Sequence, residues 1–222
     1  MRLRWVGGLH RRWAGNDRTV RTPHLLALTA LAAAAVGPGC SLVGDDRGVD
    51  AGDAVVLVVG DSVTELSRQE LGRQMDWAKE LIVRAKSGAT TEELLPLARD
   101  GADHDPDIGV FLPGYNDVLD DQADTTALDD MVELAASLPC AVWLLLPTDG
   151  GYSPDQVDTW NARVEQAGDD HDSIHVVDDW KRLVEGSPDF TFLSERDAVH
   201  PNGDGQAAIA KVMSDRAREL CT

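Results

Sequence analysis

The chain has 222 residues, of which 43% are hydrophobic and only 5% aromatic, and its formal net charge is −19. This length allows one sizeable hydrophobic core but no second full domain. A chain this acidic is repelled by phosphate backbones, so we exclude nucleic acid as a natural partner.

The first 39 residues are predicted to be a signal peptide. Six arginines precede the apolar stretch 25–36, which is too short to span a bilayer and has the form of a signal-peptide core. We therefore expect export. The chain beyond residue 40 has 14 basic and 38 acidic residues, a net charge of −24. Anionic lipid headgroups repel such a surface, so contact with a membrane would need a covalent lipid.

Cys40 directly follows the apolar core, in the segment Gly37-Pro38-Gly39-Cys40. This segment resembles a bacterial lipoprotein cleavage site, although Gly37 replaces the usual leucine. The resemblance implies lipidation of Cys40 and anchoring in the cell envelope. The alternative is ordinary cleavage near residues 33–35, which would leave Cys40 as a free thiol in a secreted protein. Residues 40–53 are polar and glycine-rich and are predicted to be a flexible tether.

Residues 54–222 are predicted to form one domain, in which strand and helix signals alternate. Apolar runs predict five strands, at 54–59, 81–85, 108–112, 141–146 and 174–178. Helices are predicted near 64–75, 91–100, 124–138, 154–168 and 203–220. This alternation implies a parallel sheet covered on both faces. We expect an α/β fold, a three-layer α/β/α sandwich of flavodoxin-like type.

Two further cysteines are predicted to form a disulfide. Cys140 comes just before the strand at 141–146, and Cys221 ends the last predicted helix, which runs back from the carboxyl edge of the sheet. The starts of the strands and the end of that helix share the opposite edge. A bond between Cys140 and Cys221 is therefore geometrically reasonable, and it fits an oxidising compartment.

A serine follows the first predicted strand, in Gly60-Asp61-Ser62, and a histidine lies near the C-terminus, in Asp197-Ala198-Val199-His200-Pro201. A serine hydroxyl is a weak nucleophile until a base takes its proton, and a neutral imidazole can be that base. A carboxylate usually holds the second imidazole nitrogen. Ser62, His200 and Asp197 are therefore candidates for nucleophile, base and orienting acid. Each motif taken alone is also typical of ordinary turns.

Two more segments follow predicted strands in the same way, Ser87-Gly88-Ala89-Thr90 and Gly114-Tyr115-Asn116-Asp117. Ligands bind beyond the carboxyl ends of the strands in an open parallel sheet, so four segments converge on one edge. From about residue 55 to residue 213 the chain resembles the SGNH/GDSL hydrolase family, whose four motif blocks supply Ser, Gly, Asn and His in that order. The resemblance implies the triad of Ser62, Asp197 and His200. It also implies an oxyanion hole formed by the backbone N–H groups of Ser62 and Gly88 and the side-chain amide of Asn116.

These observations predict a serine-dependent carboxylic ester hydrolase that acts outside the cytoplasm, as a monomer, on acetyl or other short acyl esters of glycans or small molecules. Residues 176–180 resemble, more loosely, the SGNH domains of envelope O-acetyltransferases. Acyl transfer therefore stays open as an alternative, because both reactions share the acyl-enzyme. A non-catalytic envelope binding module with the same fold is a third possibility.

No cofactor is expected. Asp103, Asp105 and Asp107 have the alternate spacing of a calcium loop, but Ile108 stands where the required glycine should be, so we reject that site. The sequence also contains no nucleotide-binding glycine loop. The predicted pocket walls are Val63, Tyr115, the loop 147–154 and the segment 189–196, and their identities do not define a substrate.

Overall fold

The computed structural model of the protein describes residues 49–120, 125–148 and 152–222. The predicted signal peptide, the lipidation candidate Cys40 and most of the predicted tether lie outside these residues. The described end of the tether has regular structure, since Ala51–Asp53 form a 3-10 turn capped by the carboxylate of Asp50, and Val49 packs against the core. All described elements belong to one compact unit, Asp45–Thr222.

Five strands form one parallel sheet, as predicted. They are β1 (Val55–Gly60), β2 (Glu80–Ala85), β3 (Ile108–Leu112), β4 (Cys140–Leu144) and β5 (Ile174–Val177). Their order in the sheet is β2-β1-β3-β4-β5. The direction of winding changes between β1 and β3, whose last residues, Gly60 and Leu112, are paired in register. A crevice for ligands is expected at this switch point, beyond the carboxyl ends of the two strands.

Helices cover both faces of the sheet, which confirms the predicted three-layer sandwich. The described residues contain α1 (Ser62–Leu66), α2 (Arg68–Gln74), α3 (Thr91–Ala102), α4 (Tyr115–Leu119), α5 (Thr126–Ala136), α6 (Pro154–Asp170), α7 (Asp179–Glu185) and α8 (Gly203–Cys221). Helix α3 packs on α5 and on β1 and β2, whereas α8 packs on α2 and on β3 and β4. Within the described ranges, none of these helices combines the length and apolarity needed to cross a membrane.

The burial of β1 and β3 explains why apolar runs in the sequence predict the position of the sheet. Every residue of β3 is buried, and only Val55 in β1 is not. Because helices cover both faces, neither strand has a solvent-facing side, so each reads as a continuous apolar run. The core also contains Trp143, which stacks on Phe111 with ring centroids 5.2 Å apart.

Three helical details differ from the prediction. The single helix expected at 64–75 is divided into α1 and α2 at Ser67. The Ser67 hydroxyl donates to the Val63 carbonyl at 2.8 Å, and its N–H bonds only three residues back, to Thr64. Such local bonds compete with the α-helical pattern. Helices α4 and α7 were not predicted, because five and seven residues are too few to show a helical period.

The predicted disulfide is present. Cys140 begins β4 and Cys221 ends α8, and their Cα atoms are 5.7 Å apart. The bond joins positions 81 residues apart at the edge of the sheet opposite the carboxyl ends. It therefore fastens the C-terminal helix to the start of β4, the strand next to the edge strand β5, at the end of the sheet away from the switch point.

Replacing both Cys140 and Cys221 by Ser should lower the free energy of unfolding by about 2–5 kcal/mol, because the cross-link restricts the unfolded chain. Urea unfolding of the oxidised protein and of the double variant measures the difference. Wild type under reducing conditions is the control and should match the variant. Equal stability of the oxidised protein and the double variant would contradict the prediction.

Candidate active site

Ser62 is the first residue of α1 and is separated from Gly60, the last residue of β1, by Asp61 alone. A side chain at Gly60 has no room, because its Cβ would meet the side chain of Thr64 and the carbonyl oxygen of Leu112. The missing side chain lets the backbone pass directly from strand into helix. Ser62 is thereby placed at the carboxyl end of β1, beside the switch point.

The loop that precedes α8 brings a histidine and an aspartate to this serine. Nε2 of His200 lies 2.9 Å from Oγ of Ser62, and Nδ1 lies 3.0 Å from Oδ2 of Asp197. The second carboxylate oxygen, Oδ1, accepts the backbone N–H groups of Val199 and His200 at 3.1 and 3.0 Å. The three residues predicted as a triad thus form one hydrogen-bonded chain.

Asp197 is held in its ionised form. Burial raises the pKa of this carboxyl, but the hydrogen bonds from His200 and Val199 outweigh that effect and bring the pKa to about 2. Asp197 is therefore an anion throughout the range in which imidazoles titrate. An anionic acceptor assigns the proton of neutral His200 to Nδ1, which leaves Nε2 free to accept the proton of Ser62.

Three N–H donors predicted to form an oxyanion hole lie on the segments that follow β1, β2 and β3. The N–H of Ser62 is in the first turn of α1 and has no acceptor within the helix. The N–H of Gly88 makes no hydrogen bond within the described residues, and its φ of +73° is one that glycine adopts without strain. Asn116 donates one amide hydrogen to the Ala89 carbonyl at 2.9 Å, and its second amide hydrogen is available.

A buried carboxylate connects the serine segment to the asparagine segment. Asp61 is fully buried, and its two oxygens accept the backbone N–H groups of Val63 at 3.1 Å and Tyr115 at 3.2 Å. Burial raises the pKa of Asp61 to about 7, although the two hydrogen bonds oppose the shift. One side chain thus fixes both the residue after Ser62 and the residue before Asn116. Sequence reasoning missed this role, although the Gly-Asp-Ser motif contained the residue.

A second buried carboxylate connects the glycine segment to the asparagine segment. Asp117 accepts both the backbone N–H and the hydroxyl of Thr91 at 3.0 Å, and burial raises its pKa. Thr91 begins α3, three residues after Gly88. Together with Asp61, this contact fixes the relative positions of the three donor segments before any substrate arrives, which is what stabilisation of developing charge requires.

A cleft of about 650 Å³ opens beside His200 and is lined by most of the segment 190–202. The predicted wall at 189–196 therefore lies where expected. Val63 and Tyr115 differ from the prediction, since both are buried as packing beneath the site. Residues 149–151 of the predicted loop wall lie outside the described residues. The next residue, Tyr152, is buried, and the centroid of its ring lies 5.6 Å from that of Tyr115.

In the described ranges, no group of three or more His, Cys, Asp or Glu side chains is placed to hold a metal ion.

A doubly wound sheet with a Ser–His–Asp chain at its switch point is the arrangement of a serine hydrolase. The sequence agrees, because the model of the GDSL-like lipase/acylhydrolase family matches residues 58–208. The chain belongs to this family and is an SGNH-type ester hydrolase. A search of curated proteins gives no significant match.

Solved structures share the fold. A GDSL-like lipase from Bacteroides thetaiotaomicron VPI-5482 is 20% identical, with a TM-score of 0.60 over 76% of this chain and 89% of its own. The family 3 carbohydrate esterase of Clostridium thermocellum is 19% identical, with a TM-score of 0.57 over 77% of this chain and 100% of its own. The C-terminal catalytic domain of Streptococcus pneumoniae peptidoglycan O-acetyltransferase A is 16% identical, with a TM-score of 0.59 over 76% of this chain and 94% of its own. Similarity at these identities shows the fold alone.

Replacing Asp61 by Asn should lower kcat at pH 8 by roughly 10–100-fold, because the amide nitrogen would face a backbone N–H and displace the predicted oxyanion donors from Ser62. Steady-state kinetics on a short acyl ester measure the effect. The exposed Asp158 offers a matched control, and Asp158→Asn should leave kcat unchanged. Wild-type kcat in Asp61→Asn would show that the bridge does not position the site.

The same variant tests the pKa of Asp61. A carboxyl whose pKa is raised from 3.8 to about 7 on folding contributes stability that is complete below pH 3.8 and is lost as the pH rises through 7. The neutral amide of Asp61→Asn has no such dependence. The stability advantage of wild type over the variant, measured by urea unfolding at pH 5, 6, 7 and 8, should therefore shrink as the pH rises. A constant difference would mean that Asp61 titrates at its ordinary pKa.

Proposed function

We propose that the protein is a serine-dependent carboxylic ester hydrolase that removes acetyl or other short acyl groups through an acyl-enzyme. Ser62 is the nucleophile, His200 the general base and acid, and Asp197 the residue that orients the imidazole. The observation that supports this most directly is the chain of two hydrogen bonds, 3.0 and 2.9 Å long, from Asp197 through His200 to Ser62.

The reaction begins when Oγ of Ser62 attacks the ester carbonyl carbon while Nε2 of His200 takes the hydroxyl proton. The carbonyl oxygen becomes an oxyanion and is held by the N–H groups of Ser62 and Gly88 and by the amide of Asn116. The intermediate then collapses, the C–O bond to the alcohol breaks, and the leaving oxygen takes the proton from His200. Water attacks the acyl-enzyme by the same steps and releases the carboxylic acid and Ser62.

The anionic state of Asp197 matters at the moment of proton transfer. When His200 takes the serine proton it becomes a cation, and a carboxylate 3.0 Å from Nδ1 stabilises that charge. Because the pKa of Asp197 is about 2, this carboxylate does not compete for the proton. The proton therefore stays on His200 until the leaving oxygen takes it.

Carbohydrate O-acyl esters are our proposed substrate class. Support comes from the fold shared with a carbohydrate esterase and with a peptidoglycan O-acetyltransferase domain. The second of these also keeps transfer to a sugar hydroxyl as an alternative to hydrolysis. We further propose, from the sequence, that the protein acts as a monomer outside the cytoplasm and is anchored in the cell envelope through a lipid on Cys40.

Replacing Ser62 by Ala should abolish both ester turnover and labelling by a fluorophosphonate probe. Replacing Asn116 by Ala should retain labelling at Ser62 but lower kcat by roughly 10²–10³-fold, the usual cost of one oxyanion donor. The exposed Ser137 provides the control, and Ser137→Ala should behave as wild type. Wild-type hydrolysis by Ser62→Ala would disprove the proposed mechanism.

Product analysis with an added oligosaccharide decides between hydrolysis and acyl transfer to a sugar hydroxyl. Transfer faster than hydrolysis would favour the acyltransferase.

A further inference from the structure

The cleft beside His200 contains an unusual share of the exposed apolar surface. Four large hydrophobic side chains are exposed in the described residues, and two of them line this cleft: Leu66, which is 45% exposed, and Phe190, which is 44% exposed. Single exposed apolar residues are ordinary, but two that face one concave site beside a catalytic base indicate a binding surface. The volume of about 650 Å³ is also within the range of small-molecule sites.

Phe190 is held in place by the loop that carries the base. Its φ is +62°, a left-handed conformation that a bulky side chain rarely adopts. The Phe190 carbonyl accepts a hydrogen bond from Nδ2 of Asn202 at 3.0 Å, and the carbonyl oxygens of Thr191 and Leu193 lie 3.1 and 3.2 Å from the same nitrogen. Asn202 is two residues after His200. Strained conformations persist where the surroundings fix them, and they cluster at functional sites.

The position of the cleft decides which half of an ester it receives. The leaving oxygen must take its proton from Nε2 of His200, so the alcohol half of the substrate lies on the His200 side of Ser62. His200 itself lines the cleft. The occupant is therefore the alcohol rather than the acyl group.

The charges around the cleft indicate what kind of alcohol fits. Glu195 and Arg196 line it with opposite charges, and Asp197 is already bonded to His200. The whole chain is strongly acidic, with a net charge of −19. The acidic chain would repel an anionic alcohol, and a cationic alcohol would meet the positive charge of Arg196 as well as the negative charge of Glu195.

We propose that this cleft is the leaving-group site and that it selects neutral alcohols with an apolar ring face, with Phe190 and Leu66 as specificity-determining residues. The proposal rests on the proposed function, because it uses His200 as the proton donor to the leaving group. A pyranose ring, whose C–H groups form an apolar face, is one alcohol of this kind.

The test compares benzyl acetate with ethyl acetate, which share the acyl group and have leaving alcohols of similar acidity. Wild type should prefer the benzyl ester in kcat/KM by about tenfold or more, the discrimination that a hydrophobic pocket typically provides. Phe190→Ala should remove most of this preference, and Leu66→Ala should reduce it by about threefold. Leu220, exposed at the opposite end of the molecule, is the matched control, and Leu220→Ala should keep the wild-type ratio.

Each outcome bears on the proposal. An unchanged benzyl-to-ethyl ratio in both Phe190→Ala and Leu66→Ala overturns the site, and a preference for 4-carboxybenzyl acetate over benzyl acetate overturns the choice of a neutral alcohol. If Phe190→Ala is misfolded, as judged by lost fluorophosphonate labelling, Leu66→Ala decides the question, since Leu66 lies on a helix outside the loop. The proposed function fails separately, and the site with it, if wild type hydrolyses neither ester or if Ser62→Ala hydrolyses both.

Discussion

The carboxylate of Asp61 is the contact on which the geometry of the site depends. The segments that carry Ser62 and Asn116 leave the sheet from adjacent strands, β1 and β3, and then diverge into separate helices. The proposed oxyanion hole requires donors from both segments at one point in space, so the two segments need a link beyond the sheet itself. Asp61 provides it, because a carboxylate has two acceptor oxygens and can bind an N–H from each segment. An amide of the same shape has only one acceptor and could not make both bonds.

Asp61 directly precedes Ser62 in the chain, and Asp197 is linked to Ser62 through His200. The surroundings of these two carboxyl groups shift their pKa values in opposite directions. Asp61 is sealed in the core, and burial raises its pKa to about 7. Asp197 lies on a surface loop, and three hydrogen bonds lower its pKa to about 2 in spite of partial burial. Environment thus separates their tasks, as it does for carboxylate pairs in other active sites. The permanent charge lies behind the imidazole, where the proposed mechanism needs it to stabilise a cation, while the buried carboxyl serves as a hydrogen-bond acceptor between segments.

The sequence allowed the sheet, and the edge of it where Ser62, His200 and Asp197 lie together, to be predicted for a shared physical reason. Buried parallel strands are continuous apolar runs, and each reactive segment follows such a run directly, so the carboxyl edge could be located without knowing any contact. The roles of Asp61 and Asp117 could not be predicted, since they depend on partners 54 and 26 positions away. The same holds for Asn202, whose contacts with residues 190–193 depend on how a loop folds back. Helices α4 and α7 were too short to leave a periodic signal.

The residues of the candidate site are divided between segments that follow strands and one loop before α8. This division allows leaving-group specificity to vary. The segments that carry the proposed nucleophile and oxyanion donors are linked to one another by buried carboxylates, whereas the proposed base and Phe190 share one loop joined by Asn202. The same Asn202 side chain accepts the N–H of Gly205 and so caps α8, which anchors the loop to a helix packed on β3 and β4. Substitutions of the Phe190 and Leu66 side chains alter the surface of the cleft without changing a backbone hydrogen bond of this loop. In the proposed mechanism, leaving-group preference can therefore change while the geometry around Ser62 is kept.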